Sequence, residues 1–187
     1  MIEEAPPVPR SAKSFRKGLV EIYTGDGKGK TTAALGTVLR ALGHGLRVYA
    51  AIFMKGDYPY GEWEFMAKQP NIKVERFGLR SFCDPNNLKP EEIEQAQKAL
   101  SSARAAMLSG NYDVVLLDEV NVAVGWKLVK LDDVLKLVKD KPVNVELILT
   151  GRRADPALVQ EADLVTEMLN IKHPYEKGIK ARQGIEY

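Results

Sequence analysis

One cysteine, Cys83, is all that these 187 residues carry. A disulfide within the chain and a zinc site built on cysteines are both excluded, and a reducing compartment is the expected setting. No apolar run approaches the roughly 20 residues that a membrane-spanning helix needs. An excess of one charge is missing too. Lys and Arg number 27 against 25 Asp and Glu, the formal net charge is +2, and the basic residues are scattered. With no broad positive field and no span, neither nucleic acid nor membrane is expected as a partner. The first nine residues, Met-Ile-Glu-Glu-Ala-Pro-Pro-Val-Pro, are acidic and proline-rich, unlike a signal or transit peptide. Residues 1–17, basic from Arg10 to Lys17, are expected to form a flexible N-terminal arm. A single domain over 18–187 follows, in a protein expected to be cytoplasmic.

What the chain does have is Thr24-Gly25-Asp26-Gly27-Lys28-Gly29-Lys30-Thr31-Thr32. The run follows Leu19-Val20-Glu21-Ile22-Tyr23 and opens an Ala/Leu-rich stretch of helical period. Three glycines let backbone N–H groups turn toward one point, and the helix N-terminus behind them adds roughly half a positive charge. Lys30 brings a mobile ammonium and Thr31 a hydroxyl suited to Mg²⁺. Together these make a phosphate cradle. Gly25-x-x-x-Gly29-Lys30-Thr31 is one residue shorter than the usual G-x-x-x-x-G-K-[ST]. A tighter loop seats a polyphosphate differently and leaves an ordinary ATPase open as one reading.

From residue 19 onward, strand and helix signals alternate. The runs at 46–53, 72–77, 114–117, 145–150 and 163–168 read as strands. Leu35, Val38, Leu39 and Leu42 mark one face of a helix over 31–42; Ile93, Ala96, Leu100, Ala103 and Met107 mark another, which begins at Pro90. The pattern predicts an α/β fold with three layers around a mostly parallel sheet. In such sheets ligands sit at the carboxyl ends of the strands. Asp118-Glu119 ends the run Val114–Leu117, so its carboxylates are expected beside the cradle, where they can hold Mg²⁺ or its waters. Thr150-Gly151-Arg152-Arg153 ends another run, which makes Arg152 a phosphate or ribose contact, or else a solvated arginine.

These motifs resemble the ATP:corrinoid adenosyltransferases of the CobA/CobO type over about Gly18 to Tyr187. The carriers are the short loop at 24–34, Arg40-Ala-Leu-Gly-His-Gly (40–45), Phe53-Met-Lys-Gly (53–56) with Gly61-Glu62, Leu117-Asp-Glu-Val-Asn (117–121), and Leu149-Thr-Gly-Arg (149–152). The most specific are Lys172-His-Pro-Tyr (172–175) and the tail Gly178-Ile-Lys-Ala-Arg-Gln-Gly-Ile-Glu-Tyr (178–187). The resemblance implies a RecA-like P-loop NTPase fold and transfer of the 5′-deoxyadenosyl group of ATP to Co(I) of a corrinoid, with triphosphate as leaving group, in adenosylcobalamin biosynthesis or salvage. It implies that Gly25, Asp26, Gly27, Lys28, Gly29, Lys30, Thr31 and Thr32 hold the triphosphate, and that Arg40 and Arg152 help to bind ATP. Thr31, Asp118 and Glu119 serve Mg²⁺ or Mn²⁺, and Lys30 and Glu119 are the catalytic residues. A homodimer and an electron-donating flavoprotein partner are implied as well. The family's Gly-Phe-Thr-Trp-like segment reads Gly78-Leu79-Arg80-Ser81-Phe82-Cys83 here, without the tryptophan. Phe82 is either its replacement against the corrinoid or a loop anchor. The competing classes are a P-loop ATPase or small-molecule phosphotransferase, and a nucleotide-gated binding protein without turnover.

Overall fold

In the computed structural model, residues 17–56, 59–81 and 83–187 are described. Residues 1–16 of the expected arm lie outside them, as does Phe82. Among the described residues the apolar runs form β1 (Val20–Thr24), β2 (Val48–Ile52), β3 (Ile72–Arg76), β4 (Val114–Asp118), β5 (Glu146–Thr150) and β6 (Leu164–Glu167). They build one sheet in the order β3-β2-β4-β5-β1-β6, and every neighbouring pair is parallel. The helices are α1 (Lys30–Gly43), α2 (Gly61–Met66), α3 (Pro90–Leu108), α4 (Val120–Gly125), α5 (Leu131–Lys139) and α6 (Pro156–Glu161). This is the expected α/β, P-loop arrangement.

Because β2, β4 and β5 are covered on both faces, they are buried at every position. The two-residue period of a strand divides their side chains between two cores. Val115 and Leu117 of β4 pack in one with residues of α3, α4 and α5. Val114 and Leu116 pack in the other with α1 and α2.

The helices meet the sheet on smaller residues than the sequence suggests. On α1, Ala34, Val38 and Ala41 are buried, whereas Leu39 is 60% exposed. On α3 the buried stripe is Ala96, Ala99, Ala103, Ala106 and Met107, with Ile93 and Leu100 at its margin. Alanine lets a helix axis approach the sheet closely, so larger residues are displaced to the flanks. Helix α4 has no counterpart in the periodicity, since six residues are too few to carry one.

At the amino ends of the strands, far from the phosphate loop, Glu146 is buried and accepts a hydrogen bond from the Leu19 N–H at 2.7 Å. Burial pushes its carboxyl up to about 7, against the opposing pull of that N–H and of Lys141, with Glu21 adding to the rise. The folded state therefore holds a proton that the unfolded chain releases near 4.5. Stability from this group is full below about 4.5 and is lost as pH rises through about 7. In Glu146→Gln that loss is expected to vanish. Between pH 5 and 8 the wild-type melting temperature should fall relative to the variant's, and parallel curves would refute this.

Candidate active site

The carboxyl ends of β1, β2, β4 and β5 open onto one cleft of about 640 Å³, lined by residues 27–32, Lys55, Tyr60, Glu119, Arg152 and the tail 184–187 among others. Strand order sets who meets whom. β5 lies between β1, which carries the phosphate loop, and β4, which carries the acidic pair. Thr150 at the end of β5 therefore stands between them.

The loop's shape depends on two glycines backed by chain. Gly25 has φ +94°, and a Cβ there would lie 2.5 Å from the Met168 carbonyl oxygen. A Cβ on Gly27 would lie 2.5 Å from the Leu169 carbonyl oxygen. The Gly27 N–H donates to Met168 O at 2.7 Å, and Met168 N–H to Thr24 O at 2.8 Å. The segment after β6 is thus the back wall of the loop. Ala33 N–H is already bonded to Gly29 O at 2.8 Å. The amides of residues 30–32, ahead of it, have no carbonyl within the helix to bond, and α1 has no acidic residue in its first turn.

Lys30 is buried and donates to the Gly27 carbonyl at 2.6 Å. Burial, then the nearby Arg152, lower its pKa, with Glu119, Asp26 and Asp118 opposing. Lys28 reaches the other way, to Glu186 Oε1 at 2.8 Å, which ties the tail to the loop. Glu186 is held in turn by Arg182 at 3.0 Å.

Fully buried Asp118 is the node of the site. Its Oδ1 accepts from Thr31 Oγ1 at 2.8 Å and from Thr150 Oγ1 at 2.7 Å, and its Oδ2 accepts from Lys55 Nζ at 2.8 Å. The Glu119 N–H donates to Thr150 Oγ1 at 2.9 Å. Glu119 itself has φ +66°, a left-handed backbone uncommon outside glycine, and its side chain lines the cleft. Burial and the adjacent Asp118 raise its pKa against the pull of Lys55, Lys30 and Arg152. For Lys55, burial alone would lower the pKa, but Asp118 and Glu119 outweigh it and hold the ammonium charged.

Lys28, Gly29, Lys30, Thr31, Thr32, Glu119 and Arg152 come together in the cleft as expected. One expectation changes: Arg40 is exposed in the last turn of α1, about 15 Å by helical rise from Lys30, and does not line the cleft. Asp26 lines a second cleft, which shares Lys28 and Arg152 with the first. Asp118 has three donors on its two oxygens and does not line the cleft. The residues missed are Lys55 and Thr150. Lys55 follows β2 and Thr150 ends β5, inside the segments 53–56 and 149–152, where the sequence gives neither a role.

Residues 16–187 match the family described as ATP:corrinoid adenosyltransferase BtuR/CobO/CobP. The chain belongs to that family. Among curated proteins, a corrinoid adenosyltransferase of Sinorhizobium sp. is 36% identical over 95% of this chain and 84% of its own length. Those of Pseudomonas aeruginosa and Escherichia coli are 34% and 32% identical over 91% of this chain, covering 84% and 86% of theirs. Family membership accounts for a whole-chain match that a phosphate loop alone does not produce, since it extends through the tail that closes the cleft.

Proposed function

We propose that this adenosyltransferase moves the 5′-deoxyadenosyl group of ATP to Co(I) of a corrinoid and releases triphosphate, within one domain over 18–187. The electron pair of Co(I) attacks ribose C5′, the C5′–O bond breaks, and both electrons of that bond leave with the triphosphate. Such a reaction asks for no protein nucleophile; it asks for positioning and for stabilisation of growing phosphate charge. The observation that carries the reading is the cleft of a chain matched to the family over residues 16–187, in which Lys30 and the first-turn residues share the lining with Glu119, and Asp118 holds Thr31 from beneath.

Lys28, Lys30 and the amides of 30–32 would take phosphate oxygens. Tyr60 and Leu35 give the same cleft aromatic and apolar wall for the adenosyl end. No cluster of three His, Cys, Asp or Glu is present among the described residues, so a resident multi-carboxylate metal does not fit. A Mg²⁺ or Mn²⁺ ion carried in with ATP does fit, because such ions take few protein ligands beside phosphate and water. Thr31 and Glu119 would hold it, and it would offset charge on the departing triphosphate. Asp118 accepts the Thr31 proton and so turns that hydroxyl's lone pairs outward. A flavoprotein supplying the electron that makes Co(I), a homodimeric state and a cytoplasmic site complete the proposal.

The test is ATP plus chemically reduced corrinoid, read by the corrinoid spectrum and by phosphate product. Triphosphate formed only when reduced corrinoid is present is the expected result. ADP formed at a comparable rate without corrinoid would hand the site to phosphotransfer.

A further inference from the structure

Behind the phosphate loop lies a second cleft of about 600 Å³. Lys28, Arg152, His173 and Glu186 line both clefts, so the Lys28–Glu186 ion pair belongs to the wall between them. The rear cleft adds Arg153 and Lys180 to Lys28 and Arg152, against the carboxylates of Asp26, Glu176 and Glu186. Two of those carboxylates already have partners: Glu176 accepts from Asn170 Nδ2 at 3.1 Å, and Glu186 is held by Lys28 and Arg182. Arg153 has φ +53°, a strained setting for a residue with a Cβ, of the kind that persists where the side chain's aim is used.

The two mouths of the cradle differ in chemistry. Lys28 and Arg152 are shared; the front one adds Lys30, Lys55, Tyr60 and Leu35, with Lys55 already paired to Asp118 and Glu119, and the rear one adds Arg153, Lys180, Tyr175 and Ile179, with Arg153 and Lys180 in no ion pair among the described residues. Resting on the polyphosphate reading of the cradle, we propose that the rear cleft is a subsite for the distal phosphates, through which the triphosphate product is held and then leaves. An arriving phosphate exchanges with Glu186 for Lys28, and Arg153 and Lys180 take the oxygens beyond the reach of the loop. Arginine and lysine suit this, since their hydrogen bonds to phosphate are charge-assisted.

The experiment is calorimetric titration of the full chain with inorganic triphosphate and with pyrophosphate, at fixed Mg²⁺. Wild type is compared with Arg153→Gly/Lys180→Ala and with Lys180→Ala alone. Glycine at 153 relieves the left-handed backbone, so the double variant is not strained. Wild type should prefer triphosphate over pyrophosphate by about tenfold or more, as one or two charged hydrogen bonds allow. In the double variant that preference should shrink toward unity while pyrophosphate affinity holds. A preference unchanged in the variants overturns the subsite. So does an unchanged preference accompanied by a raised KM for a corrinoid bearing a phosphodiester, which would give the cleft to the second substrate. Wild type that binds neither anion would instead bring down the polyphosphate reading itself.

Discussion

Lys30→Ala is expected to lose about 10²–10³ in turnover at saturating ATP, the usual effect of removing one preorganised charge contact. Without ligand, the ammonium rests on the Gly27 carbonyl at 2.6 Å, inside the loop it serves. It has only to exchange that carbonyl for a phosphate oxygen. Its lowered pKa, caused first by burial, shows that the folded state tolerates this charge at some expense. The melting temperature of Lys30→Ala should therefore stay level or rise while turnover collapses. A variant with near-wild-type turnover would mean that Lys30 does not touch the phosphates.

Lys55→Ala should behave in the opposite way on stability and lose activity as well. The ammonium lies 2.8 Å from buried Asp118 and 3.8 Å from Glu119. It is also 5.2 Å from the centre of the Tyr60 ring, a cation–π distance. Removing it leaves two adjacent carboxylates without their cation, and breaking such a pair costs about 3 kcal/mol or more. For a chain of this size that is a fall of about 6–12 °C in melting temperature. Thermal denaturation beside a turnover assay separates the two lysines. If Lys55→Ala melts with wild type, the Asp118 node is held by its two threonine hydroxyls alone.

The sequence made the cradle legible because its chemistry is local. Glycine at 25 and 29, lysine at 30 and threonine at 31 act within a few residues of one another, on a strand–helix turn whose flanking periods are plain. The carboxylate pair was legible as well, since parallel topology brings strand ends to a common edge. Roles that depend on which strands are neighbours were not legible. Thr150 holds the acidic pair, through Asp118 Oδ1 and the Glu119 N–H, because β5 pairs with β4. Lys55 reaches Asp118 because β2 pairs with β4. The helix faces were misjudged for a related reason. Hydropathy picks out Leu39, but the spacing to the sheet selects Ala34 and Ala41. Arg40 was carried by motif position, and helical rise removes it from the cleft.

Strand β6 has four residues, three of them exposed, and among the described residues it pairs on one side only, with β1. Yet the carbonyls that back the loop belong to residues 168 and 169, just beyond it. The shape of the loop is therefore underwritten by the sheet's least protected margin. Opening of such a margin is a local equilibrium, well below global unfolding in free energy, and any ligand that needs the closed form draws on it. Nucleotide affinity and the fraying of an edge strand thus become a single thermodynamic quantity. Substitutions along 164–169 would tune the enzyme's grip on ATP without touching it.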